Sequence, residues 1–226
     1  KHVMSTGHEV LREHAEPKEG VLGCDSHADT CCLGRGWQNL NYHGITVDVA
    51  GFSDALESLK NVDIVTGYTA YDDPSTGKTY ILHIAQALWL GHDHDESLLC
   101  PNQLRANGFQ VDDIPLCYSG GKSLNGIHDP ETKVTFPFSI KGVTSYLPIR
   151  TPSEFEYPSC DKIWLTSDET WNPNSDDIAR AEESFNHDQG QKVMALRVLR
   201  GGDRVPISPD DPLTEMEPEI NLVSRN

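Results

Sequence analysis

The chain has no apolar run approaching the ~20 residues that a membrane-spanning helix needs, and its first residues contain no signal-type apolar segment. Basic residues are scarce: 18 Lys and Arg stand against 35 Asp and Glu, a formal charge of −17. So acidic a chain does not suit non-specific nucleic-acid binding, which needs a cationic surface to displace counterions, nor docking on anionic lipid. Neither nucleic acid nor a membrane is expected as a partner. No Gly-x-Ser-x-Gly elbow, P-loop or dinucleotide glycine signature occurs, so esterase-type serine chemistry and nucleotide binding find no support. The six cysteines include no C-x-x-C pair and no disulfide-framework spacing. Cys31 and Cys32, adjacent on a strand-like run, point to opposite faces and do not suit a mutual bridge. All six are expected reduced, in a cytoplasmic type of compartment.

What is present is a chain of 226 residues, room for one large domain or two small ones, with an ordinary 37% of hydrophobic residues to form a core. Short apolar or β-branched runs separated by turn signals give residues 20–150 a β texture. The runs are Gly20–Cys24, Asp29–Leu33, Ile45–Ala50, Val62–Thr69, Thr79–Trp89, Phe109–Val111, Lys133–Ile140 and Gly142–Leu147. Asp72-Asp73-Pro74-Ser75-Thr76-Gly77 reads as a hairpin turn. The regular spacing predicts a small closed or sandwiched β-barrel. Helical signals fall at His8–His14, at Ser53–Leu59 and at Pro101–Asn107, the last ending on Gly108. The expected organisation is an N-terminal arm (1–19), the barrel (20–150) and an irregular extension (151–226). The extension carries a short helix near 176–185, with Ser175 as N-cap.

Asp25-Ser26-His27-Ala28-Asp29-Thr30 lies between two apolar runs, Val21-Leu22-Gly23-Cys24 and Cys31-Cys32-Leu33-Gly34. The order Asp-Ser-x-Ala, with apolar residues on both sides and a closing Gly, resembles the active-site turn of retroviral-type aspartic proteases. Further along, Ser97-Leu98-Leu99-Cys100-Pro101-Asn102-Gln103-Leu104 runs to Gly108, and Gly142-Val143-Thr144-Ser145-Tyr146-Leu147 closes the region. These follow in the order found in the copia-type retrotransposon branch of that family, over roughly residues 20–150. The resemblance implies a retropepsin-like barrel, mainly β with one short helix, in which Leu98-Leu99 forms a strand packed against the Asp turn.

It also implies an aspartic endopeptidase that matures its own polyprotein without metal or cofactor. The chemistry needs two carboxylates that share a proton, one as base on a water and one as acid on the scissile carbonyl. One such turn per chain implies a homodimer, with Asp25 facing Asp25 of a second copy across a peptide substrate. Ser26, His27, Ala28, Asp29 and Arg105 are then supporting residues, and the flap falls at Gly67–Gly77. His27 stands where the family carries Gly. A Cβ there costs ~1 kcal/mol or more if the backbone requires positive φ. The imidazole either tunes Asp25 and contacts substrate, or fills a site that has lost its chemistry.

Two other constellations compete. His92 and His94, in Gly91-His92-Asp93-His94-Asp95-Glu96, would share one face of a strand at metal-ligand spacing, although further ligands are hard to find. Cys24, Cys31 and Cys32 lie near His27, but buried, small-apolar cysteine is the simpler reading. The alternative of a different class is a non-catalytic binding or structural module on the same barrel, acting as a subunit of a larger assembly of other proteins.

Overall fold

The computed structural model describes residues 18–50 and 58–199, so the helical signals at His8–His14 and over most of Ser53–Leu59 lie outside the described residues. In chain order the elements are β1 (Glu19–Cys24), β2 (Cys32–Leu33), β3 (Gln38–Val49), β4 (Leu59–Asp72), β5 (Thr79–Trp89) and β6 (Glu96–Leu99). Then come α1 (Pro101–Ala106), β7 (Gln110–Asp112), α2 (Leu116–Ser119), β8 (Gly126–His128) and β9 (Thr135–Pro137). The remainder are β10 (Ser139–Lys141), β11 (Thr144–Arg150), α3 (Glu156–Ser159), β12 (Asp161–Trp164) and α4 (Asp177–Leu199). The protein is mainly β, with the expected helix after Pro101 and two further short helices, α2 and α3, that were not expected.

The principal sheet runs β10-β11-β1-β6-β2-β5-β4-β3, with β12 on β5. It turns back on itself where Arg150 of β11 pairs with Ala70 of β4. Thr69 Oγ1 reinforces that closure by donating to the carbonyls of Gly36 and Arg150, at 2.9 and 3.0 Å. The Arg150 guanidinium then grips Asp72 through Nε and Nη2 and Glu156 through Nη1 and Nη2. A bidentate, partly buried arginine between two carboxylates is the strong form of ion pair, and it holds the Glu156 carboxyl down at about 2.

Strand alternation explains the two apolar clusters. Leu33, Val65, Ala87 and Leu99 face the main core with Leu22, Trp37, Tyr71 and Leu147. Phe136, from the small sheet β7-β8-β9, enters the same core and meets Tyr71 and Tyr80 edge-on, with centroids at 5.4 and 5.6 Å. The alternate residues Cys32, Leu88, Leu98 and Ile64 form a second, smaller cluster with Val49, Val62 and Leu90.

Two expectations change. The Gly67–Gly77 segment is not a free hairpin. A Cβ on Gly67 would come within 2.5 Å of Leu33, Asp72 is held by Arg150, and Asp73 caps its own turn through Ser75 and Thr76. The projecting hairpin is β3–β4: β5 pairs with β4 only from Ile64 onward, so residues 46–49 and 59–63 pair with each other alone. Secondly, no structural break falls at residue 150. β12 joins the sheet beside β5, and the chain divides into compact units after Pro173. In the unit from Asn174, α4 continues well past 185, with Ser175 Oγ accepting from the Asp177 N–H at 3.1 Å.

His83, in the middle of β5, is fully buried, and neither ring nitrogen has a hydrogen-bond partner. It stacks on Trp164 at 4.2 Å, flanked by Tyr68 and Tyr157. Burial, aided by the nearby Lys162 charge, pushes its pKa down to about 4. A base with a lowered folded-state pKa contributes full stability above the unfolded value of ~6.5 and loses it as pH falls towards 4. The melting temperature is therefore expected to fall between pH 6.5 and 4, by the equivalent of on the order of 3 kcal/mol from this residue. His83→Phe should flatten that fall in a thermal-unfolding series, and equal slopes in the two proteins would contradict the assignment.

Candidate active site

β6 lies between β1 and β2, parallel to the first and antiparallel to the second. The segment from Asp25 to Cys31 therefore leaves one strand and returns on a strand that is not its neighbour, arching over the C-terminal end of β6. The Asp25 N–H continues the ladder one residue beyond β1, donating to the Leu99 carbonyl at 3.1 Å. Turn chemistry then takes over. Asp25 Oδ1 accepts from the His27 N–H at 2.9 Å, and the Asp25 carbonyl accepts from the Ala28 N–H at 3.2 Å. This Asx-type turn is what an Asp at the start of a tight bend provides.

The sequence-derived residues separate into those the turn unites and those it does not. Asp25 and Ala28 are half-buried, with Ala28 packed against the main core, while Ser26 and His27 stand exposed at the tip. His27 is not among the residues with positive φ, so its Cβ carries no left-handed penalty and the strain expected of the Gly-to-His difference does not arise. Asp29 is exposed, and its carbonyl accepts from the Trp171 indole N–H at 2.8 Å. Arg105 turns elsewhere, donating to Asn102 Oδ1 and to the Val111 carbonyl at 2.9 and 2.7 Å. It makes no ion pair with Asp29.

Gln103 was not singled out from the sequence. It is 3% exposed and sits under the arch. Its Oε1 accepts from the Cys31 N–H at 2.9 Å, and its Nε2 donates to the carbonyls of Ala85 and Gln86 at 3.4 and 3.0 Å. The one signal available was a carboxamide inside the apolar face of α1, beside buried Leu104. A buried amide of that kind must find backbone partners.

An apolar floor adjoins the turn. Pairing registers align Gly23, Leu98, Cys32, Leu88 and Ile64 in one row across five strands. Residues in such a row share a face of the sheet. Gly23 is two positions before Asp25, and the other four belong to the smaller apolar cluster. The β3–β4 hairpin leaves the sheet at this same level.

The competing constellations fare differently. Burial, with the nearby carboxylates and other thiols contributing less, pushes the thiols of Cys24 and Cys32 up to about 12, and it raises Cys31 and Cys100 as well. A thiol so raised stays protonated at neutral pH and is no nucleophile. His92 meets Trp89 edge-on at 5.2 Å, and the His94 carbonyl accepts from the Arg35 N–H at 2.7 Å. No group of three or more His, Cys, Asp or Glu among the described residues could hold a metal ion. A cleft of about 560 Å³ lies at the far end of β1, about 20 Å along the strand from Asp25. Its charges are largely mutually paired, Arg35 with Asp95 and Arg150 with Asp72. No described helix is long and apolar enough to cross a membrane.

No family model, curated protein or solved structure matches the chain.

Thiol chemistry offers a direct check. Cys117 is exposed, whereas Cys31, Cys32 and Cys100 are buried. Iodoacetamide on the native protein at pH 7.5 is expected to modify Cys117 first and to leave Cys24, Cys31 and Cys32 unlabelled by peptide mass mapping. Rapid labelling of Cys24 would restore a cysteine nucleophile to consideration.

Proposed function

We propose that this chain carries a retropepsin-like aspartic endopeptidase, in which Asp25 pairs with Asp25 of a second copy and the pair activates a water against the scissile carbonyl of a polyprotein. The observation that carries the reading is the arch itself. An Asp-Ser-x-Ala turn, fixed by the Asp25–Leu99 bond over an inserted parallel strand, presents one half-buried carboxylate with its neighbours Ser26 and His27 exposed. The reaction demands a second copy, because a lone carboxylate cannot serve as base and acid at once.

The surroundings support this reading. Leu98 and Ile64, the partly exposed members of the row over buried Cys32 and Leu88, suit an apolar side chain of an extended peptide. The projecting β3–β4 hairpin takes the part of the flap. Its outer stretch carries Ile45 and Leu59, each about half exposed, an apolar surface that a bound peptide or second copy would cover. His27 raises no backbone objection and stands exposed at the tip of the turn.

The same residue favours the second reading, a non-catalytic module on this fold. Two turns meeting at Asp25 would bring two imidazoles into one groove and crowd it.

Cleavage decides between them. The full-length chain, incubated with internally quenched peptides bearing apolar residues around the scissile bond, is expected to cut them, and a statine-type transition-state mimic is expected to block the cut. Asp25→Asn should lower kcat/KM at least about a hundredfold, the scale of a lost general acid–base group. Cleavage that survives Asp25→Asn, or its complete absence from the unmodified chain, would overturn the proposal.

A further inference from the structure

We infer that residues 165–171 form a strap that positions the Asp25 turn, with Trp171 and Thr166 as positioning residues, so that the segment beyond the expected barrel is part of the catalytic unit. The inference rests on the protease reading given above.

The argument begins at an irregularity in β5. Between Ile84, opposite Gly67, and Ala87, opposite Val65, two residues face one, which is a β-bulge. Gln86 at that bulge has φ of 55°, a left-handed backbone that a non-glycine residue adopts only where its surroundings hold it. The bulge removes Ala85 and Gln86 from the ladder in a region where both are buried. Their backbone groups must be satisfied from elsewhere.

Two side chains do this from opposite sides. Thr166 Oγ1, 1% exposed, accepts from the Ala85 N–H at 2.8 Å and donates to the Ala85 carbonyl at 2.9 Å. Gln103 donates to the carbonyls of Ala85 and Gln86, and with its other end receives the Cys31 N–H. Thr166, the bulge, Gln103 and Cys31 thus form one buried polar chain, from the strap to the residue where the Asp25 arch lands. The strap is docked at both ends. The Leu165 N–H donates to the His83 carbonyl at 2.8 Å, and Gln86 Nε2 reaches the Asp168 carbonyl at 3.4 Å. Four residues past Asp25, the Trp171 indole donates to the Asp29 carbonyl.

The turn is thereby held at two places outside its own hydrogen bonds, Asp29 from the strap directly and Cys31 through Gln103. Satisfied buried networks of this kind rigidify what they touch. A carboxylate that must meet its twin within hydrogen-bond reach depends on such rigidity, because a small displacement costs rate more than binding.

The test uses the full chain with Trp171→Phe, which keeps a ring but removes the donor, and with Thr166→Val and Thr166→Ser. Amide hydrogen exchange at residues 27–31 is measured beside kcat, KM and melting temperature. In Trp171→Phe, exchange at 27–31 should rise and kcat fall about three- to tenfold, the loss of one hydrogen bond, with KM within about twofold. Thr166→Val should do the same, and Thr166→Ser should recover the original values. Unchanged exchange at 27–31 in both Trp171→Phe and Thr166→Val would overturn the strap whether or not the chain cleaves peptides. Raised exchange with unaltered kcat would overturn its role in catalysis. Absence of Asp25-dependent cleavage in the unmodified chain would instead refute the protease reading, with exchange still deciding the strap.

Discussion

The parallel pairing of β1 with β6, carried one residue further by the Asp25 N–H on the Leu99 carbonyl, is the constraint from which the site follows. Parallel neighbours cannot be joined by a tight turn. The chain leaving β1 must cross the end of β6 before it can pair again as β2, and the crossing has seven residues, 25–31, in which to do so. Asp25 begins that crossing, so its backbone is committed to the ladder while its side chain is committed to the bend. The residue is thus held twice, its backbone N–H by the Leu99 carbonyl and its carboxylate by the His27 N–H.

Below the arch, polar satisfaction governs. β5 is buried along nearly its whole length, including His83 and Gln86. A strand of that kind has no water to correct an irregularity, so the bulge at Ala85–Gln86 needs Thr166 and Gln103. His83 shows the contrary case. Its nitrogens remain unpartnered, and the ring is stabilised by aromatic neighbours while it stays neutral. One buried strand therefore holds both a completed polar network and an uncompensated base.

Much of this was readable from residue order. The alternation Leu99/Leu98 and Ala87/Leu88 around apolar strands, the run Thr79–Trp89 and the helix after Pro101 have strong local signals, and the structure has them nearly where they were expected. The Asp25 turn was readable because Asp, Ser and Ala at a bend between apolar runs have few other uses. The Asp72–Gly77 turn was legible and joins β4 to β5, but a strong turn is a rigid one, and the projecting ribbon depends instead on where β5 ends. β12 and the docking of Thr166 and Gln103 on the β5 bulge were not legible. Asp161–Trp164 is short and lacks clear alternation, and its place beside β5 is a long-range pairing. Gln103, Thr166 and Trp171 matter through partners 72, 81 and 142 residues away, a separation no local pattern encodes.

The protease reading stands or falls on whether two Asp25 carboxylates meet. A crystal structure of the full chain with a statine-containing peptide tests this directly. The account predicts two copies related by a two-fold axis, both Asp25 carboxylates within hydrogen-bond reach of the statine hydroxyl, and the peptide laid against Leu98 and Ile64 beneath the β3–β4 hairpins. A single copy with Asp25 open to solvent and the peptide absent, or a pairing that buries Asp25 in a salt bridge away from its twin, would contradict it.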